Sequence, residues 1–268
     1  MNFDRKKIKN DAKNFINSDE IYYNSNEKLN IIYNNFDFNG KNILSVLGSG
    51  DQAFNLINRG AKKVDLFDRN KMTIYFFYLR KWIIEYLNMY YYKKNLNSNF
   101  IKDLLKIVTP KSLDEEIALY FWRYLVRNNL FGDCEDAIFS RDFEGMKDNN
   151  IRNLSKIKGF IKQNEFLFRN IDITEDISID EKYDYLILSN ISEWLCYSDY
   201  DKIWKFTNNI FDLLDNDGIA ICSTLWVDDC DGRVRDIFKR KFDICTLKKK
   251  SKFKYSGNYY PGYYLVKK

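Results

Sequence analysis

A short glycine-containing segment and one acidic residue stand at spacings that suit nucleotide binding. Residues 48–53 read GSGDQA and fit the pattern G-x-G-x-x-A, and Asp68 follows Gly50 by 18 residues. Glycine allows the backbone to turn tightly and approach a ligand, while an acid at the end of the next strand accepts hydrogen bonds from both ribose hydroxyls. A tight turn without a ligand is the alternative. The pattern predicts that a nucleotide-like cofactor contacts Gly48, Ser49, Gly50, Asp51 and Asp68.

The charge of Asp51 favours one class of cofactor. In a dinucleotide site the pyrophosphate rests on this turn and on the start of the following helix. A carboxylate there would repel the pyrophosphate by roughly 1–4 kcal/mol, for unit charges ~4 Å apart in a watery to semi-polar medium. S-adenosylmethionine (SAM) instead carries an ammonium and a sulfonium, and an anion suits both. An ordinary helix N-cap is the other interpretation of Asp51, but we expect SAM as the cofactor.

Residues that follow two later predicted strands extend this site, because ligands of such sheets bind at the carboxyl ends of the strands. Asp172 and Ile173 follow the third strand, where an acid commonly holds the adenine amino group. Asn190 and Glu193 follow the fourth strand, and they are the candidate catalytic residues. Asn190 is placed to bind the methionine part or the acceptor. Glu193 is a candidate general base, although an acid at a helix start is the commoner explanation.

Seven predicted strands position these residues, at 42–47, 63–67, 165–170, 183–189, 218–224, 242–247 and 263–267. Several of the first five are apolar throughout, as a parallel sheet covered on both faces requires. The last two have no helix between them and flank Ser256-Gly257-Asn258, which predicts an antiparallel hairpin. The sequence thus predicts an α/β, Rossmann-like fold with a seven-stranded, mostly parallel sheet and a terminal antiparallel hairpin. This is the architecture of class I SAM-dependent methyltransferases.

Helices fill the long interval between the second and third predicted strands, where a usual crossover needs only one. They lie near 71–92, 99–107, 113–129 and 150–161. We predict a helical insertion at about 71–163 within a SAM-binding Rossmann-like domain at 42–268, and an N-terminal helical cap at 1–41. The aromatic residues of the first of these helices are expected to be mostly core, with an acceptor pocket as the alternative for some. They are Tyr75, Phe76, Phe77, Tyr78, Trp82, Tyr86, Tyr90, Tyr91 and Tyr92.

Composition limits the compartment, the partners and the chemistry. A net charge of +5 is too weak by itself to imply nucleic acid, so no specific nucleic-acid partner is expected. Five cysteines without a C-x-x-C pair predict reduced thiols and a cytoplasmic protein. The absence of histidine excludes Ser-His-Asp hydrolysis and argues against an ordinary zinc site. The basic aromatic segment 248–264 favours a solvated hairpin, and contact with phosphates or anionic lipid headgroups, hence a weak peripheral membrane contact, is the alternative.

The segment ILSVLGSGDQAF resembles the loop of the SAM:diacylglycerol 3-amino-3-carboxypropyl transferase family of betaine-lipid synthesis and its bacterial relatives (DUF3419). That family has an I-L-T/S-I-x-S-x-G-D-N-A-L type loop and V-D-L-N-P after strand two. Here residues 67–71 read FDRNK, so Asp68 and Asn70 match and Lys71 replaces the proline, while Gln52 replaces the usual Asn. The resemblance implies that SAM also contacts residues 68–70, which are Asp68, Arg69 and Asn70.

Weaker similarities to this family lie elsewhere in the chain. Tyr23–Glu27 resembles an N-terminal tyrosine and acidic motif, Phe121-Trp122 with Leu130-Phe131 an F-W element, and Leu188–Leu195 the strand-four motif. The family often has an arginine at the end of strand five, where this chain has Ile221–Thr224. The resemblance implies the fold and the cofactor. It does not imply diacylglycerol as the acceptor, because nothing in the sequence indicates a lipid channel.

Together these features predict a SAM-dependent transferase that moves a 3-amino-3-carboxypropyl or a methyl group to a small-molecule or lipid acceptor. The sulfonium is already an excellent leaving group, so the protein mainly supplies orientation and desolvation. The family resemblance favours aminocarboxypropyl transfer. Two other functions stay open: a non-catalytic SAM-binding sensor or scaffold, and, less favoured, an NAD-dependent oxidoreductase.

Overall fold

The structure, a computed structural model, describes residues 4–16, 29–86, 98–130, 151–164, 166–223, 232–247 and 262–268. The chain divides into two compact units. The helical unit comprises Met1–Ser25, Leu47–Phe54 and Asn70–Glu165, and the sheet unit comprises Asn26–Val46, Asn55–Arg69 and Phe166–Lys268. The predicted division of the chain at residue 41 stays a prediction.

The sheet unit contains one seven-stranded mixed sheet in the order β3-β2-β1-β4-β5-β7-β6. Its strands are β1 (Asn42–Val46), β2 (Lys63–Asp68), β3 (Phe168–Asn170), β4 (Tyr183–Ser189), β5 (Leu214–Ser223), β6 (Phe242–Thr246) and β7 (Gly262–Lys267). Strands β1 to β5 pair in parallel, and β7 pairs antiparallel with both β5 and β6. The predicted parallel sheet with a terminal antiparallel hairpin is therefore confirmed.

The sheet unit also contains helices. They are α2 (Leu29–Tyr33), the last turn of α3 (Asp51–Asn58), α8 (Ile191–Trp194), α9 (Tyr200–Leu213) and α10 (Gly232–Phe238). In α9, the fully buried residues Ile203, Phe206 and Ile210 recur at helical spacing and pack in one core with Leu186 and Leu265 of the sheet. This apolar periodicity explains why 200–213 is a helix that covers the sheet.

The helical unit contains α1 (Arg5–Ile16), α4 (Met72–Tyr86), α5 (Ser98–Ile107), α6 (Leu113–Arg127) and α7 (Ile151–Gln163). Four of these helices lie between β2 and β3 in the chain, as the predicted insertion requires. Twelve of the 15 residues of α4 are buried, so this helix is enclosed on nearly all sides. Five of its aromatic residues are core, as expected, whereas Tyr86 is 37% exposed and Tyr90–Tyr92 lie outside the described residues.

Two strands begin more than one residue away from their predicted first residue. The third strand begins at Phe168 rather than at residue 165, because its pairing with β2 starts at Leu66↔Phe168. Strand β5 begins at Leu214 rather than at Gly218, because Leu214 pairs with Tyr183 of β4. A register shift after Tyr183 accommodates the extra residues, as a β-bulge does.

The cysteine prediction is wrong at one position. Cys222 and Cys245 are free thiols, whereas Cys196 is disulfide-bonded. Within the described ranges, no helix is both long and apolar enough to cross a membrane. The motif Tyr23–Glu27 and the basic segment up to residue 261 lie outside the described residues.

Candidate functional site

Four parallel strands end at one edge of the sheet, and the predicted site residues follow them. The register pairs Val46 of β1 with Phe67 of β2, and Asp68 with Asn170 of β3. Strand β4 runs parallel to β1 on its other side. The segments that follow β2, β3 and β4 therefore leave from the same sheet edge, and the glycine turn follows β1 directly along the chain. This places the predicted residues of the sheet unit, Asp68, Asp172 and Asn190, at one edge.

A side chain of β3 holds the backbone that leaves β2. The amide Nδ2 of Asn170 donates to the carbonyl oxygens of Asp68 and Arg69, at 2.9 and 3.0 Å. Both acceptors belong to the segment predicted to bind the ribose. Asp68 is half-buried and Arg69 is exposed. Asn170 thus fixes the backbone from which the Asp68 carboxylate extends.

The glycine turn has the backbone geometry that its sequence requires. Gly48 and Gly50 have φ angles of +49° and +84°, in the left-handed region that glycine adopts without strain. The N–H of Gly50 donates to the carbonyl oxygen of Leu47 at 2.7 Å and closes the turn. A Cβ on Gly50 would lie 2.9 Å from a ring carbon of Phe77, so the turn packs directly on an aromatic ring of α4.

A buried arginine of α4 binds the same turn. Arg80 donates through Nη1 to the carbonyl oxygen of Ser49, and its Nη2 lies 2.6 Å from Oδ1 of Asp51. The hydroxyl of Ser49 donates to the other carboxylate oxygen of Asp51 at 2.9 Å. Arg80 is 1% exposed and Asp51 is 0% exposed, and the guanidinium carbon lies 5.5 Å from the ring centroid of Phe54. The turn is therefore fixed by a charged network inside the helical unit.

This ion pair removes the premise on which Asp51 indicated SAM. A carboxylate can select SAM by its charge only if that charge acts on the ligand. In the structure the charge is compensated by Arg80, and the carboxylate is fully buried. Asp51 stabilises the turn at the start of α3, and its charge no longer distinguishes SAM from a dinucleotide.

Asn70 begins the first helix of the insertion. Its Oδ1 accepts a hydrogen bond from the N–H of Met72 at 2.9 Å, and its carbonyl oxygen accepts one from the hydroxyl of Thr73 at 2.7 Å. These bonds cap the N-terminus of α4, as an asparagine at this position does. These bonds give Asn70 a structural role, and a cofactor contact of Asn70 stays a prediction.

The acid after β3 has a fixed orientation. Oδ1 of Asp172 accepts hydrogen bonds from the backbone N–H and the hydroxyl of Thr174, at 2.9 and 2.6 Å. Its neighbour Ile173 is 2% exposed and belongs to the core of the sheet unit. Asp172 is half-buried at the sheet edge, where its predicted contact with an adenine amino group stays a prediction.

The backbone at the end of β4 is strained at Ser189, the residue that precedes Asn190. Ser189 has a φ of +53°, an uncommon conformation for a residue other than glycine. It is followed by Asn190, whose Oδ1 accepts a hydrogen bond from the Ser189 hydroxyl at 3.4 Å. Asn190 is the N-cap residue of α8 and Glu193 lies in the first turn of that helix, and both are half-buried. Strained backbone of this kind concentrates at functional sites, which favours Asn190 as a functional residue.

Arg80 and Asn170 contact the site, and no motif in the sequence identifies them. A signal existed for Arg80, because it lies in the middle of an apolar helix and a buried cation must be paired. No comparable signal existed for Asn170, because its two acceptors are backbone atoms about a hundred residues away in the chain.

No protein-family model matches the sequence, and no curated protein matches it in sequence. Similar solved structures include a TehB-like SAM-dependent methyltransferase from Corynebacterium glutamicum (TM-score 0.45, 12% identity, 99% of this chain and 100% of that chain covered). The N-methyltransferase NodS from Bradyrhizobium japonicum, in complex with S-adenosyl-L-homocysteine, has a TM-score of 0.43 and 9% identity over 97% and 96% of the two chains. TrmN from Thermus thermophilus has a TM-score of 0.37 and 10% identity over 86% and 44%. Similarity this weak carries no conclusion about what this chain binds.

Proposed function

We propose that this protein is a SAM-dependent transferase that moves a 3-amino-3-carboxypropyl or methyl group to a small-molecule or lipid acceptor. The observation that carries the proposal is the position of Asp68. It ends β2, beside the strand that leads into the glycine turn, and Asn170 holds its backbone. A half-buried carboxylate in this place suits the two hydroxyls of a ribose. The terminal antiparallel hairpin supports a methyltransferase-like sheet over a plain dinucleotide-binding domain.

The residues at the sheet edge supply binding and orientation in this proposal. Asp68 accepts from the ribose hydroxyls, and Asp172, held by Thr174, accepts from the adenine amino group. SAM contributes a sulfonium whose sulfur leaves readily when a nucleophile attacks an adjacent carbon. Asn190 orients the acceptor, and Glu193 removes its proton when the nucleophile requires it. Attack on the methyl carbon leaves S-adenosylhomocysteine, and attack on the aminocarboxypropyl chain leaves methylthioadenosine.

The nucleoside product tests this proposal. Purified protein is incubated with SAM and a cell extract as the source of acceptors, and the nucleosides are identified by mass spectrometry. Aminocarboxypropyl transfer predicts methylthioadenosine, and methyl transfer predicts S-adenosylhomocysteine. An Asp68→Asn variant under the same conditions should form either product more slowly. Neither nucleoside above the background of extract alone would contradict transfer. SAM binding without any product would favour the sensor or scaffold.

One observation favours the oxidoreductase alternative. Because Arg80 compensates the charge of Asp51, the glycine turn does not repel a pyrophosphate in the way that the sequence suggested. Tighter binding of NAD than of SAM would favour this alternative and contradict the proposed function.

A further inference from the structure

The side-chain amide of Gln52 is a buried polar group that the fold does not use. Gln52 is the second residue of α3 and is 4% exposed. Its Oε1 is buried and has no hydrogen-bond partner among the residues that the structure describes. An unsatisfied buried acceptor is destabilising, and a molecule or ion that completes the hydrogen bond is one reason why a native protein retains such a group.

This amide borders the glycine turn. Oε1 and Nε2 of Gln52 lie 3.8 and 4.0 Å from the position that a Cβ on Gly48 would take. In the described parts of the chain, no other atom beyond the immediate neighbours of Gly48 lies within 4 Å of that position. Gly48 is half-buried, with a left-handed φ of +49° that other residues adopt only with strain. The amide of Gln52, whose oxygen has no hydrogen-bond donor among the described residues, therefore borders the turn at Gly48.

We propose that Gln52 is a cofactor-specificity residue whose Oε1 accepts a hydrogen bond from the α-ammonium group of SAM. The proposal rests on the proposed use of SAM. An ammonium brings three N–H donors and a positive charge, and charge-assisted hydrogen bonds are the stronger ones. The pyrophosphate of a dinucleotide offers only acceptors and leaves Oε1 unsatisfied. Gln52 thus supplies the discrimination that the ion-paired Asp51 does not.

Truncation of both the side chain and the ligand tests this proposal. Calorimetric titrations compare SAM with methylthioadenosine, which lacks the aminocarboxypropyl chain, on wild type and Gln52→Leu. We expect Gln52→Leu to bind SAM about 10- to 100-fold more weakly and methylthioadenosine within about twofold of wild type. The matched control Gln163→Leu changes an exposed glutamine of α7 and should leave both affinities unchanged. Equal losses for the two ligands, or no loss for SAM, would overturn the assignment.

The thermal unfolding temperature of the ligand-free protein distinguishes a ligand-binding role of Gln52 from a packing role. Since Gln52→Leu removes an unsatisfied acceptor, its thermal unfolding temperature should equal or exceed that of wild type. A clear decrease would identify Gln52 as a packing residue and overturn the proposal.

Gln52→Glu separates the two ends of the amide. A carboxylate keeps the acceptor and adds a charge that attracts an ammonium, so SAM should bind at least as tightly as to wild type. If Nε2 instead donates to the carboxylate of SAM, Gln52→Glu should weaken SAM binding as much as Gln52→Leu does, and the proposal is wrong.

A wild-type chain that binds no SAM overturns the proposed function and this proposal together. A wild type that binds SAM as tightly as Gln52→Leu overturns only this proposal.

Discussion

Removing the buried cation of α4 should destabilise the helical unit. Arg80→Met leaves the Asp51 carboxylate, which is 0% exposed, without the guanidinium that lies 2.6 Å away. Breaking a buried ion pair from one side costs about 3–5 kcal/mol, because an uncompensated charge stays buried. That is a large part of the ~5–15 kcal/mol that stabilises a typical domain. The variant also loses the hydrogen bond from Arg80 to Ser49, which fixes the glycine turn.

Urea denaturation of four proteins measures this effect as a double-mutant cycle. They are wild type, Arg80→Met, Asp51→Asn and the double variant. Because the double variant removes both charges of this pair, it should cost no more than either single variant, whereas additive losses would sum to about 6–10 kcal/mol. Arg127→Met, which changes an exposed arginine at the end of α6, is the matched control and should cost under ~1 kcal/mol. A cost below ~1 kcal/mol for Arg80→Met, or additive costs in the cycle, would refute the role of this pair.

Three further changes have definite expected outcomes. Gly50→Ala should destabilise the protein by about 1–3 kcal/mol in urea denaturation, since the methyl group would clash with Phe77 and the φ is left-handed; an unchanged midpoint would contradict this packing. Asn170→Ala should weaken SAM binding about three- to tenfold in calorimetry, because the backbone after β2 loses two hydrogen bonds; an unchanged affinity would exclude its positioning role. The hydrogen bond from the Tyr183 hydroxyl, with nearby cations, lowers the pKa of Glu181 below its ordinary 4.5. This carboxylate therefore stabilises the fold above pH 4.5, and the stabilisation is lost as the pH falls through the lowered pKa. The stability difference between wild type and Glu181→Gln should therefore shrink in acid, and a constant difference from pH 7 to pH 3 would contradict it.

The fold was predictable from the sequence because its signals are local. The apolar run of β1, the glycine turn and the acid at the end of β2 lie within one short segment. The absence of a helix between the last two strands predicts the terminal hairpin, and the pairing of β6 with β7 confirms it. The start of β5 was not predictable in the same way, because it depends on a bulged pairing with Tyr183 in another strand.

The candidate site was predictable only in part, because its supporting contacts join distant residues. Asp51 and Arg80 are 29 positions apart, and the apolar surroundings of Arg80 show that it needs a partner without showing which one. Asp51 was therefore interpreted through its charge alone, and that interpretation failed once the charge was paired. The amide of Asn170 reaches across 102 positions to a backbone carbonyl, which has no signature in side-chain type.

Calorimetric titration of wild type and Asp68→Asn with SAM and with NAD would show whether Asp68 holds the ribose of SAM. We expect saturable binding of one SAM per chain to wild type, no measurable binding of NAD, and a loss of SAM affinity of about 10- to 100-fold in Asp68→Asn. Binding of NAD in preference to SAM, or equal SAM affinity of the two proteins, would contradict it.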